Sequence, residues 1–106
     1  MPYEDFPYAG QSFVAHYGPG LTFLNAYSDD GKAVSVEFLD GDMIGKTMTV
    51  PFAWSRVCEG TYLLSWQEDD KSTVVHCDSF EEGSSKSFYT VMDGNFYVLS
   101  GQLTKK

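Results

Sequence analysis

Three side chains in this sequence could do chemistry together if the fold gathers them around one pocket: Lys46, Glu59 and Tyr17. Lys46 has the parity of Ile44, Met48 and Val50. Alternate residues of a strand share a face, so a strand here would turn the ammonium group inward. An ammonium group in an apolar interior is costly unless an anion compensates it. Lys46 is therefore either the anchor for an anionic ligand or, through a bulge or register shift, a solvated surface lysine. Glu59 precedes Gly60, where a bulge or tight bend could aim the carboxylate inward. Beside apolar and aromatic walls its pKa would rise, and it could act as a general acid; otherwise it is a solvated loop carboxylate. Tyr17 shares the face of Phe13 and either offers its hydroxyl to a ligand or packs in the core. Arg56 reads as a surface residue on a rim segment.

Other chemistries find little support. The two histidines are His16 and His76, and His76-Cys77-Asp78 supplies metal-type ligands only at adjacent and i, i+2 spacing. A zinc site needs three or four ligands, so no metal is expected. Gly-rich phosphate loops, nucleophile elbows and Ser/His/Asp signatures are missing, and nothing implies a cofactor. Two cysteines, Cys58 and Cys77, make no disulfide framework and no Cys-x-x-Cys pair, and they read as reduced thiols.

The charge balance narrows the partners. Seven basic against fifteen acidic residues give a formal net charge of −8. Phosphate backbones and anionic membrane surfaces would be repelled, so neither nucleic acid nor membrane is an expected partner. The start, Met1-Pro2-Tyr3-Glu4-Asp5, lacks the basic and apolar regions of a signal peptide, and the apolar runs are too short to span a bilayer. A cytoplasmic location is the default.

The elements that would have to position these groups are short strands. A chain of 106 residues, with seven Tyr, eight Phe and two Trp, suits a single half-buried β domain spanning 1–106. Turn signals separate strands expected at 11–17, 21–28, 33–39, 43–52, 60–67, 72–79, 86–92 and 95–103. Asp93-Gly94 predicts a type I′ hairpin between the last two. A short helical turn is expected around Pro51 to Cys58, and the first nine residues are expected to be loose. Sequential hairpins favour closure, which removes exposed edges. The predicted fold is all-β, an eight-stranded antiparallel up-and-down barrel of lipocalin-like type, with a two-sheet sandwich as the alternative. Alternation turns Phe13, Ala15, Phe23, Val36, Phe38, Met48, Tyr62, Leu64 and Trp66 inward as the wall of a small-ligand pocket.

Three blocks carry a family resemblance. Gly10-Gln11-Ser12-Phe13-Val14-Ala15-His16-Tyr17, Asp40-Gly41-Asp42-Met43-Ile44-Gly45-Lys46, and Glu59-Gly60-Thr61-Tyr62-Leu63-Leu64-Ser65-Trp66-Gln67-Glu68 resemble, in order and spacing, the barrel core of the bacterial phenolic acid decarboxylases. The same pattern is similar to the MoaF-like barrels, which share the lipocalin-like (calycin) fold. The resemblance to the decarboxylases implies a cofactor-independent lyase and favours a homodimer. On it, Glu59 falls on the family's acid, Tyr17 on one of two paired tyrosines, and Lys46 on its arginine. The pattern is departed from at Ala15 and Phe23, which stand where that family has tyrosines. Lys46 also lacks the fork with which Arg grips a carboxylate.

Three functions follow as expectations. The first is a lyase or isomerase acting on a small aromatic or apolar carboxylic acid, with Glu59 as acid/base, Lys46 as anion anchor and Tyr17 as hydrogen-bonding partner. The others are a non-catalytic ligand-binding barrel and a structural module with a filled lumen.

Overall fold

A computed structural model describes residues 5–106. Nine antiparallel strands run in sequence: β1 (Ser12–His16), β2 (Thr22–Tyr27), β3 (Ala33–Phe38), β4 (Thr47–Pro51), β5 (Ala53–Cys58), β6 (Thr61–Gln67), β7 (Thr73–Ser79), β8 (Ser84–Thr90) and β9 (Phe96–Lys105). The ladder order β4-β3-β2-β1-β9-β8-β7-β6-β5 is a meander whose two ends of chain, β1 and β9, pair with each other. Phe13 lies opposite Lys105 and His16 opposite Gln102. The sheet thus wraps into a nearly closed barrel, with a seam between β4 and β5.

The all-β class and the up-and-down order match the reading of the sequence; the details differ in four places. The ninth strand is β5, in the segment expected to hold a helical turn. Pro51 has no N–H to continue the ladder, and after a last in-register bond from Phe52 N–H to Lys32 O (3.1 Å) the pairing with β3 ends. The chain then resumes as a strand against β6. The strand expected from Met43 begins only at Thr47, because Asp40 to Gly45 folds as a turn with Gly41 and Gly45 at φ 80° and 89°. Ile44 is consequently exposed. The β8–β9 hairpin forms, but through a five-residue connection, 91–95, closed by Val91 N to Asn95 O (2.9 Å). Only Gly94 there has positive φ, so the turn is not type I′.

The fourth difference concerns the segment before β1. Residues 1–4 lie outside the described residues, but Phe6 is only 3% exposed. Its ring enters one end of the barrel and meets Tyr27, Phe52 and Trp54 at centroid distances of 4.9, 5.2 and 5.5 Å. Tyr8 stacks on Phe80 at 4.1 Å, and Phe80 meets Phe13 edge-on at 4.9 Å. Edge-to-face and offset ring pairs at these distances are favourable beyond the area they bury. This aromatic plug fills one half of the barrel.

Truncating the plug should therefore be expensive. Phe6→Ala is expected to lower unfolding free energy by about 3–5 kcal/mol, and Phe6→Leu by clearly less. Urea denaturation of the two variants checks this; equal, sub-kilocalorie losses would mean that the segment before β1 is not part of the core.

Candidate functional site

Cross-strand register sets the inward side chains in rows. On one wall, Phe13, Asn25, Val36 and Met48 lie opposite one another, and the next row holds Ala15, Phe23 and Phe38. On the other wall the rows are Tyr62-Asp78-Ser85-Gly101, then Leu64-His76-Ser87-Leu99, then Trp66-Val74-Tyr89-Tyr97. At the end away from the plug, these rows enclose a cavity of about 270 Å³. Phe23, Phe38, Trp66 and Tyr89 supply its aromatic walls, with Asn25 and His76 deeper in the barrel. Asp40, Asp42, Met43 and Glu68 stand at its mouth, next to Gly20 and Leu21.

Beneath the cavity runs a buried polar chain. Tyr17 Oη lies 2.6 Å from Ser85 Oγ. Ser85 Oγ donates to Asp78 Oδ1, and His76 Nδ1 lies 3.4 Å from Asp78 Oδ2. Burial, reinforced by the charge of Asp78 and opposed by the Ser85 bond, pushes the Tyr17 pKa up, so its hydroxyl remains a donor. Tyr17 reaches Ser85 because Gly101 leaves room: a Cβ on that glycine would sit 2.8 Å from Tyr17 Cδ1. His76 packs against the Trp66 indole at 4.8 Å and is 4% exposed. With its proton on Nδ1 toward Asp78, the Nε2 edge of His76 is left to the cavity.

Ser85, Asp78 and His76 are the residue types of a hydrolase triad, but the bonds run in another order. Ser85 bonds Asp78 rather than His76, and Ser85 is 1% exposed. A serine nucleophile needs the imidazole as its proton acceptor and access to substrate; this serine has neither. Among the described residues, no group of three or more His, Cys, Asp or Glu could hold a metal ion.

Three buried side-chain polar atoms of the described residues have no hydrogen-bond partner: Asn25 Nδ2, Tyr27 Oη and Trp66 Nε1. Asn25 is 1% exposed, and its Nδ2 has no hydrogen-bond partner. The Trp66 indole N–H, facing the Glu68 side, also completes no hydrogen bond of ordinary geometry. At the mouth, Tyr89 Oη donates to Glu68 Oε1 at 2.7 Å. Burial holds the Glu68 carboxyl above its ordinary pKa, although the Tyr89 bond pulls the other way. The Asp40 carboxyl, by contrast, is held below the usual range by the Thr22 N–H, with a further bond from the Thr22 hydroxyl, both at 2.9 Å.

The residues expected from sequence divide into three groups. Tyr17, Phe23, Val36, Phe38 and Trp66 line the cavity. Phe13, Ala15, Met48, Tyr62 and Leu64 point inward and are buried, but they pack the barrel without lining the cavity. Lys46 and Glu59 are exposed and line nothing, which corrects the expected inward aim of both. Lys46 ends the turn before β4, past the rim; its charge still acts on Glu68 and Asp70. Glu59 sits in the turn next to Gly60, at the plugged end, where Gly60 O accepts from Phe80 N (2.8 Å). Arg56 contacts the Tyr62 hydroxyl at 3.3 Å on the outside of the same end. Asn25, His76, Glu68 and Tyr89 were not read as pocket residues. Parity could have found them, since Asn25 falls between Phe23 and Tyr27, His76 follows Val74 and Glu68 follows Trp66 at a spacing of two.

Residues 9–104 match the model of a family described as MoaF-like. Among solved structures, a protein from Burkholderia vietnamiensis described as a candidate beta-lactamase is 39% identical to this chain. It superposes with a TM-score of 0.94 over 98% of this chain and 100% of its own. No curated protein matches.

The Glu68 environment gives a pH test. Its folded-state pKa is raised, so the native state binds more protons than the unfolded one. The stability linked to this carboxyl is therefore present below its ordinary value of 4.5 and is lost as pH rises through the elevated value. Glu68→Gln removes that loss. Its melting temperature should gain on the wild type between about pH 4 and about pH 7; parallel curves would contradict the assignment.

Proposed function

The chain belongs to the MoaF-like family, and on that premise we propose that its barrel binds a small molecule of about one ring in size, neutral or cationic rather than anionic. The observation that carries this reading is the cavity itself: aromatic walls, a few converging polar groups, and three carboxylates but no lysine or arginine among its lining residues. Ligand sites are concave, mostly apolar and fitted with a small number of placed polar groups. The volume, about 270 Å³, is at the small end for such sites. An anionic ligand would meet Asp40, Asp42 and Glu68 on entry, while Lys46 stands exposed outside the lining. The carboxylic acid expected from sequence depended on Lys46 inside the lumen, so the preferred ligand changes with the position of that lysine.

The name carried by the Burkholderia protein adds no β-lactam chemistry to this reading. The order of the Ser85, Asp78 and His76 bonds supplies no activated serine. A second reading, proton-transfer catalysis of isomerase or lyase type, is favoured by one observation. Glu68, held toward its protonated form, and His76, aligned by Asp78, face the same cavity. It requires product formation that Glu68→Gln abolishes while leaving ligand affinity within about twofold.

A thermal-shift series on the full chain with ethylbenzene, benzylammonium and benzoate tests the binding reading. A neutral or cationic probe at a hundred times its Kd should add about 2.7 kcal/mol of stability, raising Tm by roughly 10 °C or more for a domain of this size. Benzoate should add nothing. Val74→Phe, which places a ring in the lumen, should abolish the shift. Equal stabilisation by benzoate, or no stabilisation by any ring, would overturn the proposal.

A further inference from the structure

The two unmatched N–H groups in the rows around the lumen, Asn25 Nδ2 and Trp66 Nε1, are both sealed by protein atoms, so neither can select a ligand by hydrogen bonding. What the lumen presents instead is aromatic rings with a carboxylate beside them. Trp66 and Tyr89 stand in one cross-strand row, with Val74 between them. Glu68 lies two residues beyond Trp66 and accepts from Tyr89 Oη at 2.7 Å. On the other wall, Phe23 and Phe38 lie 5.1 Å apart with their planes at 79°. A phenol that donates to a carboxylate gains electron density in its ring, so the Glu68 bond makes the Tyr89 ring a better partner for positive charge. No lysine or arginine stands among the lining residues, and Lys46, whose charge reaches Glu68, is exposed outside them.

We propose that this half of the lumen is an aromatic cage for a methylated ammonium group, held among Trp66, Tyr89, Phe23 and Phe38 with Glu68 as its counter-ion. The inference rests on the lumen-binding reading above and narrows it to a ligand class. Methylation is what fits the polar groups present. A primary ammonium brings three N–H groups that each need an acceptor. Beside the rings, one Glu68 oxygen is taken by Tyr89 and both Asp40 oxygens are taken by Thr22. Asp42 is exposed to water at the mouth, and Tyr17 Oη is committed to Ser85. The Ser87 hydroxyl and the His76 imidazole lie one row deeper, between Leu64 and Leu99. A methylated ammonium spreads its charge over C–H groups, needs no acceptor and is weakly hydrated, so rings can replace its water shell. Burial disfavours the charged form of Glu68, and a cation seated against it offsets that cost. The acidic mouth and the net charge of −8 draw a cation toward the site.

Isothermal titration of the full chain with choline, its uncharged carbon isostere 3,3-dimethylbutan-1-ol and its unmethylated parent ethanolamine decides the matter. Choline should bind roughly tenfold tighter, or more, than either analogue. Replacing the tryptophans by fluorinated tryptophan keeps the ring's shape and drains its electron density; the second tryptophan, Trp54, stands outside the lining. Choline affinity should then fall stepwise with each added fluorine, while that of the isostere stays within about twofold. If the fluorinated chain fails to fold, Tyr89→Leu, at a half-buried position, should bring choline and the isostere within about threefold of each other. Equal binding of choline and the isostere in the wild type would overturn the cage while leaving lumen binding intact. Tighter binding of ethanolamine would overturn it in favour of hydrogen-bond acceptors. A choline preference untouched by fluorination, or surviving a folded Tyr89→Leu, would also overturn it. If ethylbenzene and all three probes failed to bind, the lumen reading would fall as well.

Discussion

The contact on which the rest depends is the ladder between β1 and β9. Every other pairing joins strands that follow one another in sequence, and those hairpins alone would leave two separate sheets, β1–β4 and β5–β9, because β4 and β5 do not pair. Pairing Phe13 with Lys105 and His16 with Gln102 joins the two into one sheet that wraps into a nearly closed cylinder with an inside. Asn25 lies one strand to one side of this join, and His76 lies two strands to the other. They face a common space only because the join exists. Tyr17 crosses it directly, passing over Gly101 to bond Ser85. This ladder also spans nearly the whole chain, so its loop-closure entropy is the largest of any pairing, offset by the core it completes.

Once closed, the barrel has more interior than one type of filling occupies. Rings from outside the sheet, Phe6 and Tyr8, combine with Phe13, Tyr27 and Phe80 to pack one half solid. In the other half, the inward rows carry polar side chains among the aromatic ones, and these do not interdigitate to fill the space. Asp78 marks the border. Fully buried, it is tolerable only because Ser85 and His76 supply its hydrogen bonds. The same satisfaction fixes the direction of His76. A core-stability requirement thereby sets the chemistry of the cavity floor, and the two cannot be altered separately.

The sequence made the fold class legible because alternation and turn residues are local signals. Phe13, Phe23, Val36, Phe38 and Trp66 point inward as parity requires. Its errors occur where a local signal is overridden. Parity carried Lys46 and Ile44 into the lumen, but two glycines with positive φ bend the chain into a turn before β4 begins. Glu59 resembled a catalytic acid in type and in the company of Gly60, yet nothing local tells which end of a barrel a hairpin turn occupies. Phe6 lacked any strand pattern, and its burial depends on the barrel end it happens to cap. The polar site residues are hidden for a different reason: Asn25, His76 and Glu68 occupy inward positions whose polarity runs against the apolar alternation of their strands.

Those misses have a common physical character. A sequence specifies a fold when propensity, pattern and polar satisfaction agree, and natural proteins depart from that agreement where function requires it. Here the inward rows carry polar side chains at Asn25, His76, Asp78, Ser85 and Ser87; Asp78 and Ser85 are bonded within the buried chain, while Asn25, His76 and Ser87 belong to the cavity lining. The Tyr27 hydroxyl is also buried without a partner, but it lies in the packed half, out of reach of a ligand. Asn25 and Trp66 differ in belonging to the rows that line the cavity. A leucine at position 25 would fit the strand pattern and remove an unmatched donor. Both departures from a fully satisfied interior therefore fall in the half of the barrel that packing leaves unfilled, which is where a binding function would keep them.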